Sequence, residues 1–169
     1  MNTPVAILIG PPGAGKSTVG ALLAGRLGMG FTDTDALVES VAGKQVSDIF
    51  VEDGEAAFRE LERAAVARAL SAGDGIVAVG GGAVLDPLTQ AGLAGHTVIY
   101  LETGFAEAAK RVGFNQARPL LIGNPRATLK ILLDQRIPVY QRLATMTVST
   151  DDREPAEIAD DIAGRLSRA

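Results

Sequence analysis

The apolar run Val5-Ala6-Ile7-Leu8-Ile9 passes straight into Gly10-Pro11-Pro12-Gly13-Ala14-Gly15-Lys16-Ser17, and a helical pattern begins immediately behind it. Strand, glycine loop and helix in that order leave few folds open. A continuous apolar strand needs cover on both faces, which a parallel sheet between helices supplies. The loop fits G-x-x-x-x-G-K-[ST], in which glycines let successive backbone N–H groups turn towards a polyphosphate. The start of the next helix adds its partial positive charge. In this reading Gly13, Ala14 and Gly15 cradle the phosphates with Thr18 beside them, Lys16 reaches the β and γ phosphates, and the Ser17 hydroxyl binds Mg2+. A glycine turn beside an unrelated lysine is the alternative.

The same alternation of short apolar runs and helical patterns continues along the 169 residues. Val19, Leu22, Leu23 and Leu27 recur at helical spacing up to Gly28, and a short strand is expected near 29–32. Helices are expected near 35–42 and 55–72 with a turn at 46–50 between them, then a strand at 76–79 broken by Gly80-Gly81-Gly82. Further strands at 97–101 and 145–149, a helix over 126–143 and a terminal helix from about 155 complete the pattern. This predicts an α/β fold, one domain spanning 1–169, with ligands gathered at the carboxyl ends of parallel strands.

Composition narrows the chemistry. The absence of cysteine excludes disulfides and thiolate catalysis, and a single histidine, His96, argues against a histidine-based metal site or catalytic triad. A net charge of −4 argues against a nucleic-acid surface, and any anionic substrate must be met by a few placed arginines. No stretch approaches the ~20 apolar residues of a membrane span. The first apolar run lacks a preceding basic segment and is interrupted at Gly10, unlike a secretory signal. A soluble, cytoplasmic monomer acting on small molecules, with no nucleic acid or membrane partner, is the expectation.

Several charged residues fall where the pattern asks for apolar ones. On the helix over 126–143, Leu129, Leu132, Leu133, Ile137 and Tyr140 form a stripe, and Arg136 lies on it, with Pro138 just beyond. An inward guanidinium needs an anion, either a bound ligand or an internal carboxylate. On the helix after Gly54, Glu62 falls on the face of Phe58, Leu61, Ala65 and Ala69, and is spaced to pair with Arg59. That pair either aims Arg59 at a ligand or is an ordinary surface contact. Asp33-Thr34-Asp35 follows the second strand; in extended chain its two carboxylates would face opposite sides, and either could instead cap the next helix. Gly80, Gly81 and Gly82 suggest backbone contact with a ligand, or only a tight turn. The irregular segment between Arg111 and Arg126 suits a lid, about 112–124, whose Arg118 acts on phosphates, or a plain surface loop.

Taken in order, these motifs closely resemble the shikimate kinase family, from about Val5 to Pro155. The resembling segments are Asp33-Thr34-Asp35, Ile49-Phe50 through Gly54-Glu55 to Phe58-Arg59, Gly80-Gly81-Gly82-Ala83-Val84, and Arg118-Pro119-Leu120-Leu121. The resemblance implies a P-loop fold of the nucleoside monophosphate kinase class with a five-stranded parallel sheet in the order 2-3-1-4-5. It also implies ATP-dependent phosphorylation of the shikimate 3-hydroxyl, a step of aromatic amino acid biosynthesis. By the same resemblance Asp35 accepts that hydroxyl's hydrogen bond and serves as general base, and Arg59 and Arg136 bind the substrate carboxylate. The Gly81 backbone, between Gly80 and Gly82, contacts a ring hydroxyl. Ser17 binds Mg2+ with Asp33 supporting it through water, Lys16 and Arg118 stabilise the transferring phosphoryl group, and Arg111 with Arg153 to Pro155 flanks adenine. A gluconate or nucleoside monophosphate kinase is the nearer alternative, and a non-catalytic nucleotide-binding module the more distant one.

Overall fold

The computed structural model describes residues 4–72, 75–112 and 125–168. Strand β1 (Ala6–Ile9) lies at the centre of a five-stranded sheet, flanked by β3 (Ile76–Ala78) and β4 (Val98–Glu102). Strand β2 (Phe31–Asp33) lies outside β3, and β5 (Met146–Ser149) lies outside β4. Every pairing is parallel, and the order is the expected 2-3-1-4-5.

The apolar run of β1 is explained by cover on both faces. Ala6 and Leu8 pack with α1 (Lys16–Leu27) and α8 (Pro155–Arg168) through Leu23, Ile158 and Ile162. Ile7 and Ile9 pack on the opposite face with Val66 of α4 (Glu55–Ala72) and Tyr140 of α7 (Pro125–Leu143). Each of Ile7, Leu8 and Ile9 is fully buried and contributes about 1.5–3 kcal/mol. The strand that feeds the glycine loop is thus among the best-anchored segments of the chain.

Between β2 and α4 lie α2 (Thr34–Ala42) and α3 (Val46–Asp53); α5 (Pro87–Leu93) and α6 (Phe105–Val112) flank β4 in sequence. The turn expected at 46–50 is a helix. Its first N–H, on Val46, donates to the Glu39 carboxylate at 2.9 Å, so the cap comes from seven residues upstream and has no local signature. Helix α5 was absent from the sequence reading although Asp86 caps it, accepting from the N–H groups of Leu88 and Thr89, with Pro87 in the first turn. Among the described residues no helix is long and apolar enough to cross a membrane. The segment 113–124, which holds most of the expected lid and Arg118, lies outside the described residues.

Candidate active site

Past β1 the chain turns through Gly13 at φ 83° and Gly15 at φ 90°, the left-handed region that only glycine enters without strain. Helix α1 then starts with no side-chain cap and no acidic residue in its first turn. An uncapped helix start with its partial positive charge suits an anion. The Lys16 ammonium donates to the carbonyls of Gly10 at 2.8 Å and Pro11 at 3.1 Å, lying along the loop it is expected to serve. Ser17 donates its hydroxyl to Asp33 Oδ2, while Asp33 Oδ1 accepts the Asp35 N–H at 2.9 Å and so caps α2. Asp33 thus caps α2 with one oxygen and meets Ser17 with the other. Loop, Asp33, Asp35, Gly80 and Gly81 line one cleft of about 220 Å3.

Asp35 differs from its extended reading, because α2 begins at Thr34 and Asp35 sits in the helix's first turn. This carries it towards β3. A Cβ placed on Gly80 would stand 2.8 Å from Asp35 Oδ1 and 3.0 Å from Glu62 Oε2. One placed on Gly82 would stand 2.7 and 2.8 Å from the Arg59 guanidinium nitrogens and 3.0 Å from Arg136 Nη2. Gly80 and Gly82 therefore leave space for the protein's own carboxylates and guanidiniums, while a Cβ on Gly81 would stand 3.1 Å from Pro12. None of Gly80, Gly81 and Gly82 has positive φ, so the requirement is steric and not torsional. The Gly80 N–H donates to Thr34 Oγ1 at 3.1 Å, tying the loop to the start of α2.

Charge burial sharpens this side of the cleft. Glu62 is 3% exposed and accepts from Arg59 Nη1 at 2.8 Å, so the pair is no surface contact. Burial pushes the Glu62 carboxyl above its ordinary value; Arg59, and more weakly Arg136, act against that rise, and the Asp35 charge adds to it. Arg136 is 4% exposed, makes no ion pair among the described residues, and its Nε has no hydrogen-bond partner. A buried guanidinium without a carboxylate is costly. A bound anion would remove the cost.

On the other flank Arg111 donates to the carbonyls of Gly13 at 3.2 Å and Ala14 at 3.5 Å, and to the hydroxyl and carbonyl of Thr150 at 3.3 and 3.2 Å. It binds the glycine loop to the end of β5. Arg153 donates to the Ser149 carbonyl at 3.1 Å and pairs with Asp161 at 3.2 Å, next to Pro155 at the start of α8. These three residues share the end of β5, on the far side of the loop from Arg59 and Arg136. Sequence reasoning missed Tyr140 as a polar group: read as part of an apolar stripe, it donates its hydroxyl to the Gly81 carbonyl at 2.6 Å.

A P-loop before a helix N-terminus, a serine–aspartate pair on its floor, and an anion-seeking pocket across a small cleft define a P-loop phosphotransferase of the nucleoside monophosphate kinase class. The family model described as shikimate kinase matches residues 12–167. A shikimate kinase of Thermobifida fusca is 63% identical over 99% of this chain and 98% of its own length. A solved shikimate kinase from Acinetobacter baumannii, in complex with shikimate, aligns with a TM-score of 0.93 at 32% identity, covering 99% of this chain and 94% of that one. A gluconokinase of Sinorhizobium meliloti 1021, at 20% identity and a TM-score of 0.59, shares the fold alone. The chain belongs to the shikimate kinase family.

Proposed function

We propose that this chain transfers the γ-phosphoryl group of ATP to the 3-hydroxyl of shikimate, giving shikimate 3-phosphate and ADP. The meeting of Arg59 and Arg136 against Gly82, with Glu62 in ion-pair contact with Arg59 alone, carries the reading. Arg59 has Glu55 and Glu62 as partners, whereas Arg136 makes no ion pair among the described residues and suits the carboxylate of an acceptor. Asp35, beside Gly80 and in the same cleft as Lys16, then faces the acceptor's hydroxyl.

In the reaction the bond from the γ-phosphorus to the bridging oxygen of ADP breaks as the acceptor oxygen bonds to phosphorus, and the hydroxyl proton passes to Asp35. Lys16 and the N–H groups at the start of α1 hold the phosphate oxygens, and Arg118 adds positive charge as the transition state spreads negative charge over them. Ser17 and Asp33 supply hard oxygens that suit Mg2+ held mainly through phosphate and water. When bound, Mg2+ neutralises charge on the β and γ phosphates. Arg111 and the Arg153 to Pro155 segment flank the adenine.

An acceptor panel tests the reading. With Mg-ATP, shikimate is expected to be phosphorylated in strong preference to gluconate and AMP; preference for either of those would overturn it.

A further inference from the structure

Helix α7 brings two groups to the loop of Gly80, Gly81 and Gly82 from one side. Arg136 stands against Gly82, and four residues later Tyr140 reaches Gly81. The Tyr140 side chain has no exposed surface, and its ring stacks on that of Tyr100 with centroids 5.2 Å apart. Packing there asks only for a ring, which phenylalanine would supply. Burying a phenol hydroxyl is costly unless it is bonded, so its presence calls for a reason.

The reason lies in the peptide that follows. In a trans peptide the carbonyl of Gly81 and the N–H of Gly82 point in opposite directions, and there are no cis bonds among the described residues. Fixing the carbonyl on Tyr140 fixes the direction of that N–H, away from the phenol. Neither the Gly81 nor the Gly82 N–H has an acceptor among the described residues. Three successive glycines hold little orientation of their own. Arg136, one turn earlier on α7, acts electrostatically on the same phenol and lowers its tendency to stay protonated, against the larger effect of burial.

We propose that Tyr140 is a positioning residue of the acceptor site: its buried hydroxyl sets the 81–82 peptide plane so that the glycine loop presents its N–H groups to the acceptor, in register with Arg136 on the same helix. The proposal rests on the reading that the acceptor binds between Asp35 and these arginines. Tyr140→Phe keeps the ring and removes the bond. Its KM for shikimate is expected to rise about tenfold, the value of one hydrogen bond at the upper end of its net range, with kcat and the KM for ATP within about twofold of the parent. Tyr100→Phe, which removes a hydroxyl from the same stack without touching the loop, should leave all three unchanged.

A second readout does not depend on the variant folding. The chain has two tyrosines, so biosynthetic 3-fluorotyrosine gives two fluorine resonances, assigned with Tyr100→Phe. Saturating shikimate without ATP should move the Tyr140 resonance more than that of Tyr100. An unaltered KM in Tyr140→Phe, a loss confined to kcat or thermal stability, or a Tyr140 resonance indifferent to shikimate would each overturn the proposal. If the parent itself showed no shikimate-dependent turnover, the functional reading would fall together with it.

Discussion

Gly82→Ala isolates the acceptor clamp from the fold. Gly82 has φ −93° and ψ −10°, in the right-handed region that alanine occupies freely, so the backbone does not resist the change. The added Cβ would lie 2.7 and 2.8 Å from the Arg59 nitrogens and 3.0 Å from Arg136 Nη2. Unstrained contacts start near ~3.5 Å, so the guanidiniums must retreat by roughly 0.5–0.8 Å. Both are the far ends of flexible side chains and can do so without unfolding anything. A carboxylate held by charged hydrogen bonds, each worth about 1.5–3 kcal/mol, loses alignment with at least one of them. The KM for shikimate is expected to rise about 10- to 100-fold at saturating ATP, with the KM for ATP unchanged. The assay is coupled ADP release with shikimate varied, alongside a thermal melt in which the midpoint moves by no more than about 2–4 °C. An unchanged shikimate KM, or an equal rise in the KM for ATP, would refute the idea that Gly82 reserves the space of the carboxylate clamp.

Asp35→Asn is expected to lower kcat by about 10²- to 10⁴-fold while ATP binding, followed by calorimetry, is retained; near-normal turnover would remove Asp35 as the base. Asp86→Ala should cost about 1–2 kcal/mol in urea unfolding at neutral pH, since Asp86 caps α5 and accepts from Arg63 Nε at 2.7 Å. The Arg63 bond is the main cause holding the Asp86 carboxyl below its ordinary value. A depressed folded value means that the stability is present above the usual ~3.9 and fades as pH falls through the lower folded value. The gap between parent and variant should therefore close on acidification, and a gap that persisted at pH 2 would argue against the ion pair.

Features carried by neighbouring residues were legible in the sequence. The β1 run and the Gly10 to Ser17 loop are local patterns, and the two-sided burial of Ile7 and Leu8 is what a continuous apolar strand requires. Arg136 and Glu62 announced themselves as charges on apolar stripes, and both side chains are buried. What escaped was decided by distant partners. Helix α3 takes its cap from Glu39. The triple glycine is crowded by Asp35, Glu62, Arg59 and Arg136, which come from three different helices. Tyr140 finds its acceptor 59 positions away in sequence, and nothing in an apolar stripe reports a hydroxyl's partner. The opposite facing expected of the Asp33 and Asp35 carboxylates in extended chain does not apply because the boundary between β2 and α2 falls between them, where local pattern is least informative.

In the proposed reaction the P-loop is the donor half of a site whose acceptor half takes shikimate. Shikimate-dependent ADP release from the purified protein, in Mg-ATP with and without shikimate, tests it most directly. Turnover is expected to appear with shikimate and to saturate in it; ATP binding with no shikimate-dependent ADP release would contradict the assignment.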